Sequence, residues 1–204
     1  MAYSDFTLKR VKAELDLQWI ETESLFANIK ALKISDYLEQ TLKRNLWLAL
    51  AINTEKARSE LLIINILLEV KEKLNNQISL FSGVDFNVDK ERGLAGFCDF
   101  ILSQSSEQLY LEAPAVTIVE AKNESIFSGM GQCLAEMYAA KIYNEKEGFN
   151  LPCIYGAVTT GDEWKFLKLG NDVAYIDADL YHISQIGKIV GILAAMLQQS
   201  AELK

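Results

Sequence analysis

Two short apolar runs constrain this chain more than any other feature. The first begins at Phe97 and carries Asp99; the second ends Ile118-Val119-Glu120-Ala121-Lys122. Each reads as a buried β-strand, and each holds a charge where a core strand normally holds a hydrophobe. A charged group inside a strand is costly unless it is paired or bound to a metal. Glu120 and Lys122 are two apart, so their side chains leave the same face of the pleat. An antiparallel hairpin centred between Leu109 and Tyr110 would set Asp99 opposite Glu120, and directly opposed Cβ atoms lie about 4.5–5.5 Å apart. Two carboxylates and an ammonium would then meet in one place, which is a metal site with a lysine beside it.

With these residues in this order, the chain resembles the PD-(D/E)XK nuclease superfamily. The signature is an acid on one strand and (D/E)-X-K on the next, here Asp99 and Glu120-Ala121-Lys122. The resemblance runs from about Ala57 to about Leu169. It takes in Glu60 on the preceding helix and Gln132 in Gly129-Met130-Gly131-Gln132, the opening of the following helix. Glu-Ala-Lys alone is a weak motif, but the ordered series helix-Glu, strand-Asp, strand-Glu-X-Lys, helix-Gln is far more specific. Cys98 stands where a proline would precede Asp99, a departure common in the superfamily.

The resemblance implies an α/β fold with a mixed central sheet of the restriction-endonuclease type, flanked by helices. Residues 58–204 would form the nuclease-like domain and residues 1–57 a helical N-terminal extension. It also implies hydrolysis of phosphodiester bonds in DNA. Asp99 and Glu120, joined by Glu60, would hold Mg²⁺, with Mn²⁺ as a substitute; octahedral coordination with several retained waters needs only two or three carboxylates. Lys122 would orient or deprotonate the attacking water, and Gln132 would orient that water or a phosphate.

With 204 residues and 50% hydrophobic content, the chain can bury one substantial core. No apolar run reaches the roughly 18 residues of a membrane span, and Met1 to Phe6 lack a signal-peptide pattern. Cys98, Cys133 and Cys153 are widely spaced and set in apolar surroundings, which points to a reduced, cytoplasmic setting. They form no zinc pattern, and the single histidine, His182, excludes a multi-histidine metal centre. A net charge of −8 argues against a protein that coats nucleic acid electrostatically. It leaves room for a nuclease, because a divalent cation makes clustered carboxylates less repulsive to phosphate.

Along the chain, residues 1–57 read as helical throughout, with one imperfect stripe (Phe6, Leu8, Val11, Leu15, Trp19) and a cleaner one (Ile34, Leu38, Leu42, Leu46, Leu50). This region would cover the core or mediate a homodimer. Thr54 is a candidate N-cap for a buried helix from Lys56 to Leu74 that carries Leu61, Ile64, Leu68, Leu62 and Ile66. Glu60 is then either a site acid or a first-turn acid favoured by the helix dipole. Residues 103–114 form a lengthened hairpin or a flap near the substrate. Gln132 and Glu136 share a helix face, with Glu136 read as structural. The strand Cys153–Val158 should run parallel to the Glu120 strand through a right-handed crossover, and a turn at residues 160–163 leads into a strand from Trp164. His182 reads as a cap or surface residue before a last amphipathic helix that closes the core or pairs with a twin.

Against hydrolysis stands a reading from another class, a catalytically silent nuclease-fold module that serves as a scaffold or partner-binding subunit. The acidic charge favours that reading, and retention of all three signature residues opposes it.

Overall fold

The computed structural model describes residues 1–21, 24–170 and 172–198. Its strands, in chain order, are β1 (Gln18–Ile20), β2 (Ser79–Asp85), β3 (Phe97–Ser103), β4 (Ala115–Ala121), β5 (Ile154–Thr159), β6 (Glu163–Gly170), β7 (Val173–Ile176) and β8 (Tyr181–His182). The helices are α1 (Leu8–Glu14), α2 (Asp36–Ile52), α3 (Glu55–Arg58), α4 (Ile64–Lys73), α5 (Ile126–Lys146) and α6 (Ile186–Gln198). The strands form one open mixed sheet in the order β1-β7-β6-β5-β4-β3-β2, with β8 alongside β6.

β4 and β5 are buried at every position, as continuous apolar runs covered on both faces should be. They pair in parallel through the crossover helix α5, while β3–β4 and β5–β6 are antiparallel. The expected register of the charged hairpin is present: Phe100 faces Val119 and Ile101 faces Ile118, so one further step brings Asp99 level with Glu120. One apolar layer joins the sheet to α2, α4 and α6 through Leu62, Ile66, Phe100, Trp164 and Ile189, among others. The other joins it to α5 and the N-terminal segment through Tyr3, Phe6, Val11, Ile118, Leu134 and Val158. Trp164 is fully buried, α6 closes the core, and His182 is an exposed cap whose ring accepts the Ser184 N–H.

The expectation of a helical extension over residues 1–57 is corrected. α1 stops after Glu14, and Asp16 takes a left-handed φ of 54°. The chain then enters β1, which pairs in parallel with β7, Gln18 facing Val173. Trp19, read as part of a helical stripe, therefore lies on a strand. The next stretch crosses α6 as irregular chain: Lys188 Nζ donates to the carbonyls of Phe26, Ala27 and Ile29. Residues of this N-terminal third sit in both apolar layers, so no separate core divides the chain at residue 57.

Thr54 does cap the following helix, accepting the Ala57 N–H. That helix is interrupted, however. Ser59–Ile63 form a widened π-turn in which the Ile64 N–H bonds back five residues to Ser59. The extra residue rotates the apolar face, so Leu62, Ile63, Ile66, Leu67 and Val70 are buried, whereas Leu68 is exposed and Leu61 and Ile64 only partly covered. The helix ends at Asn75 and Asn76, both in the left-handed region that asparagine tolerates.

Candidate carboxylate–lysine site

Asp99 lies at the head of β3 and Glu120 near the end of β4, so the antiparallel pair brings them to the same end of the sheet. The Asp99 carboxylate accepts the Ala121 N–H at 2.8 Å, seating it on the main chain between Glu120 and Lys122. Glu120 is fully buried and in contact with the ammonium of Lys122. Lys122 also lies 3.4 Å from Gln132 Oε1 and 3.8 Å from Glu55 Oε2. Gln132 in turn donates from Nε2 to Glu136 Oε1 at 3.0 Å. Asp99, Glu120, Lys122 and Gln132 are thus brought together, with Glu55 and Glu136 added.

Glycine makes this closeness available. A Cβ at Gly129 would stand 2.7 Å from a Val158 methyl and 3.1 Å from Lys122 Cγ and Cε. Only a residue without Cβ lets the first turn of α5 settle on Lys122, and Gln132 follows one turn later.

The expectation that Glu60 joins the cluster is corrected. Its side chain is mostly exposed and pairs with Lys56 at 3.7 Å, a solvent-side i,i+4 contact. Five helical positions separate Glu55 from Glu60, so the two point in different directions. The acid that reaches Lys122 is Glu55, the first residue after the Thr54 cap. Arg58 fixes the start of that helix against the β5–β6 turn, with Nη1 2.6 Å from the Thr160 carbonyl and 2.5 Å from Asp162 Oδ1. Glu136, read as structural, is fully buried within the cluster, where its Oε1 accepts from Gln132. Its four-residue spacing from Gln132 was the available signal; Glu55 had none beyond its place beside a cap.

The flap reading of residues 103–114 does not hold, and the lengthened hairpin does. That loop leaves the opposite end of β3 from Asp99, pinned by Gln108 to both the N–H and carbonyl of Leu80 and by Tyr143 to the Leu111 carbonyl.

The electrostatics follow from burial. Burial, then the charges of Glu136 and Asp99, holds the Glu120 carboxyl well above the usual carboxylate range despite Lys122. Burial likewise raises Glu136. Burial alone would lower the Lys122 pKa, but Glu120, Glu55 and Asp99 more than offset it. These acidic neighbours favour the ammonium form of Lys122. This refines the dual role expected of it.

Among the described residues, no three His, Cys, Asp or Glu side chains are grouped closely enough to hold a metal ion as they stand. The donor types nevertheless suit a hard cation. Glu120 Oε2 and Glu136 Oε2 are buried without a hydrogen-bond partner, and a buried carboxylate oxygen left unpartnered is costly. Every acidic donor here is a carboxylate, the ligand Mg²⁺ and Mn²⁺ accept.

Comparison with models of known protein families, with curated proteins and with solved structures gives no match.

Proposed function

We propose that this chain is a metal-dependent phosphodiesterase that hydrolyses DNA, built on a restriction-endonuclease-like sheet and working in the cytoplasm. One observation carries the reading: the Asp99 carboxylate seats on the Ala121 N–H, beside buried Glu120 and within one residue of Lys122. Asp99 and Glu120 would hold Mg²⁺ or Mn²⁺, with Glu55 in the place first given to Glu60. Bound there, the cation would acidify a coordinated water and offset charge building on the phosphate.

The protein's own residues divide the remaining work. Lys122, held cationic by its acidic neighbours, orients the attacking water or a phosphate oxygen through charge-assisted hydrogen bonds. Gln132 fixes the ammonium from the α5 side and ties it to Glu136. The central strands β3–β5 and α5 exclude bulk water from Glu120, which strengthens each of these contacts.

A silent scaffold is the second reading, favoured by the Glu120–Lys122 contact, which already pairs a buried carboxylate without any metal. A cleavage assay separates the two. The purified chain is incubated with Mg²⁺ or Mn²⁺ and labelled single-stranded, duplex and branched DNA, with Asp99→Asn as control. Metal-dependent cleavage lost in Asp99→Asn supports hydrolysis; no cleavage of any form supports the scaffold.

A further inference from the structure

From Leu46 to Ile52, the second half of α2 is apolar at seven consecutive positions. A helix that is apolar all round is normally buried, yet Ala49 alone of this run is. Trp47 is 77% exposed, and Leu48, Leu50 and Ile52 are exposed beside it. Large apolar side chains exposed this densely mark a contact surface. On the side of Trp47, the residues Glu39, Lys43, Leu46 and Leu50 follow one another at steps of four, three and four, which lines them up along one stripe of the helix. A groove of about 370 Å³ lies along that stripe, lined by Ile34, Leu42, Leu46 and Ile186 and by the exposed pair Glu39–Lys43. Trp47, one turn beyond Lys43, flanks the groove without lining it.

A protruding aromatic and an apolar groove on one helix face make the surface complementary to itself, which a two-fold interface requires. Such an axis crosses the two copies of α2 antiparallel. With the axis level with Thr41, Lys43 meets the partner's Glu39, and Glu39 meets the partner's Lys43. Trp47 then comes level with the partner's Ser35, next to Ile34 at the groove. Two opposite-charge contacts thus favour this pairing between chains that each carry a net charge of −8. Two copies of Trp47 supply about a quarter of the roughly 1,200 Å² that a small stable interface needs. Two helices of 17 residues, each roughly 25 Å long, offer the rest with their groove walls. We infer that the Trp47 face of α2 is a homodimer interface, in which each Trp47 fills the groove between α2 and the start of α6 in its partner. None of these residues belongs to the carboxylate–lysine cluster, so the dimer does not depend on the phosphodiesterase reading.

Sedimentation equilibrium of the full chain across the micromolar range reads the balance of monomer and dimer. Wild type should dimerise. Trp47→Ala should weaken dimerisation at least about 30-fold, as loss of a central aromatic anchor does. Lys43→Glu and Glu39→Lys should each stay monomeric over the same range, because each sets like charges against each other twice across the axis. An equimolar mixture of these two variants should associate, since every charge then meets its opposite. That recovery cannot come from the Glu39–Lys43 pair within one helix, which both variants lack. Circular dichroism of each variant checks that its fold is kept. A Trp47→Ala chain that dimerises like wild type, or a mixture that associates no more than its separate components, would overturn the inference. A wild type that remains monomeric would also overturn it and assign the face to a different protein.

Discussion

Glu55 Oε2 stands 3.8 Å from the ammonium of Lys122, while Glu60, five residues further along and inside the π-turn, faces solvent beside Lys56. Burial and the nearby charge of Asp99 raise the Glu55 pKa, which marks it electrostatically as a member of the cluster. The third acid of the site is thus set by the helix cap at Thr54 and not by the middle of the helix.

Exchange of the two acids should separate their roles. Glu55→Gln should weaken Mn²⁺ binding about tenfold or more, the cost of losing one charged ligand. Glu60→Gln should leave affinity within about twofold, because exposed i,i+4 pairs contribute only about 0.3–0.5 kcal/mol. Isothermal titration of each variant reads both numbers, and the opposite ranking would return Glu60 to the site.

Metal should also stabilise the fold. At a concentration 100 times Kd, a ligand that binds only the native state adds about 2.7 kcal/mol. Asp99→Asn should remove most of the resulting rise in Tm. It keeps an oxygen for the Ala121 N–H and removes one charge from the cluster, so the metal-free variant should melt no lower than wild type. Differential scanning calorimetry with EDTA and with Mn²⁺ checks both outcomes.

The pH dependence of the metal-free protein has a definite sign. Glu120 and Glu136 have folded-state pKa values above those of the unfolded chain, chiefly through burial. The native state therefore binds more protons, and the stability this contributes is present below the ordinary carboxylate range and lost as pH rises through the raised values. Urea denaturation in EDTA should give higher stability at pH 6 than at pH 8, by up to about 1.4 kcal/mol per pH unit for each proton taken up. Glu136→Gln keeps the shape and removes a titrating group, so it should flatten the profile.

Arg58 is largely buried where it meets Asp162, and it ties the Glu55 helix to the β5–β6 turn. Arg58→Ala should cost about 2–3 kcal/mol, somewhat below the ~3–5 kcal/mol of a wholly buried pair because Asp162 is partly exposed. Metal affinity should fall as well, since the helix start that carries Glu55 loses its anchor. Chemical denaturation and titration of the same sample test the two effects together.

The hairpin register, the parallel crossover and the meeting of Asp99, Glu120, Lys122 and Gln132 were legible because strand alternation and helix spacing are local, periodic signals. Three features were not. β1 is only three residues long and leans on β7, a partner far along the chain, so no local pattern announces it. The π-turn after Arg58 inserts a residue without any glycine or proline to mark it. Glu55 reaches Lys122 because Arg58 and the Thr160–Asp162 turn hold the helix start against the sheet, a long-range contact with no sequence period.

The central claim is that Lys122 acts in catalysis and is not merely the counter-ion of Glu120. The most direct measurement is the cleavage rate of Lys122→Ala at saturating Mn²⁺, with metal affinity measured on the same preparation. Removal of the ammonium frees Glu120 for the cation, so affinity should hold or tighten. Cleavage should still fall about 10²–10⁴-fold, the range lost with a positioned proton-transfer or orienting group. A Lys122→Ala protein that binds metal and cuts DNA at the wild-type rate would contradict the account.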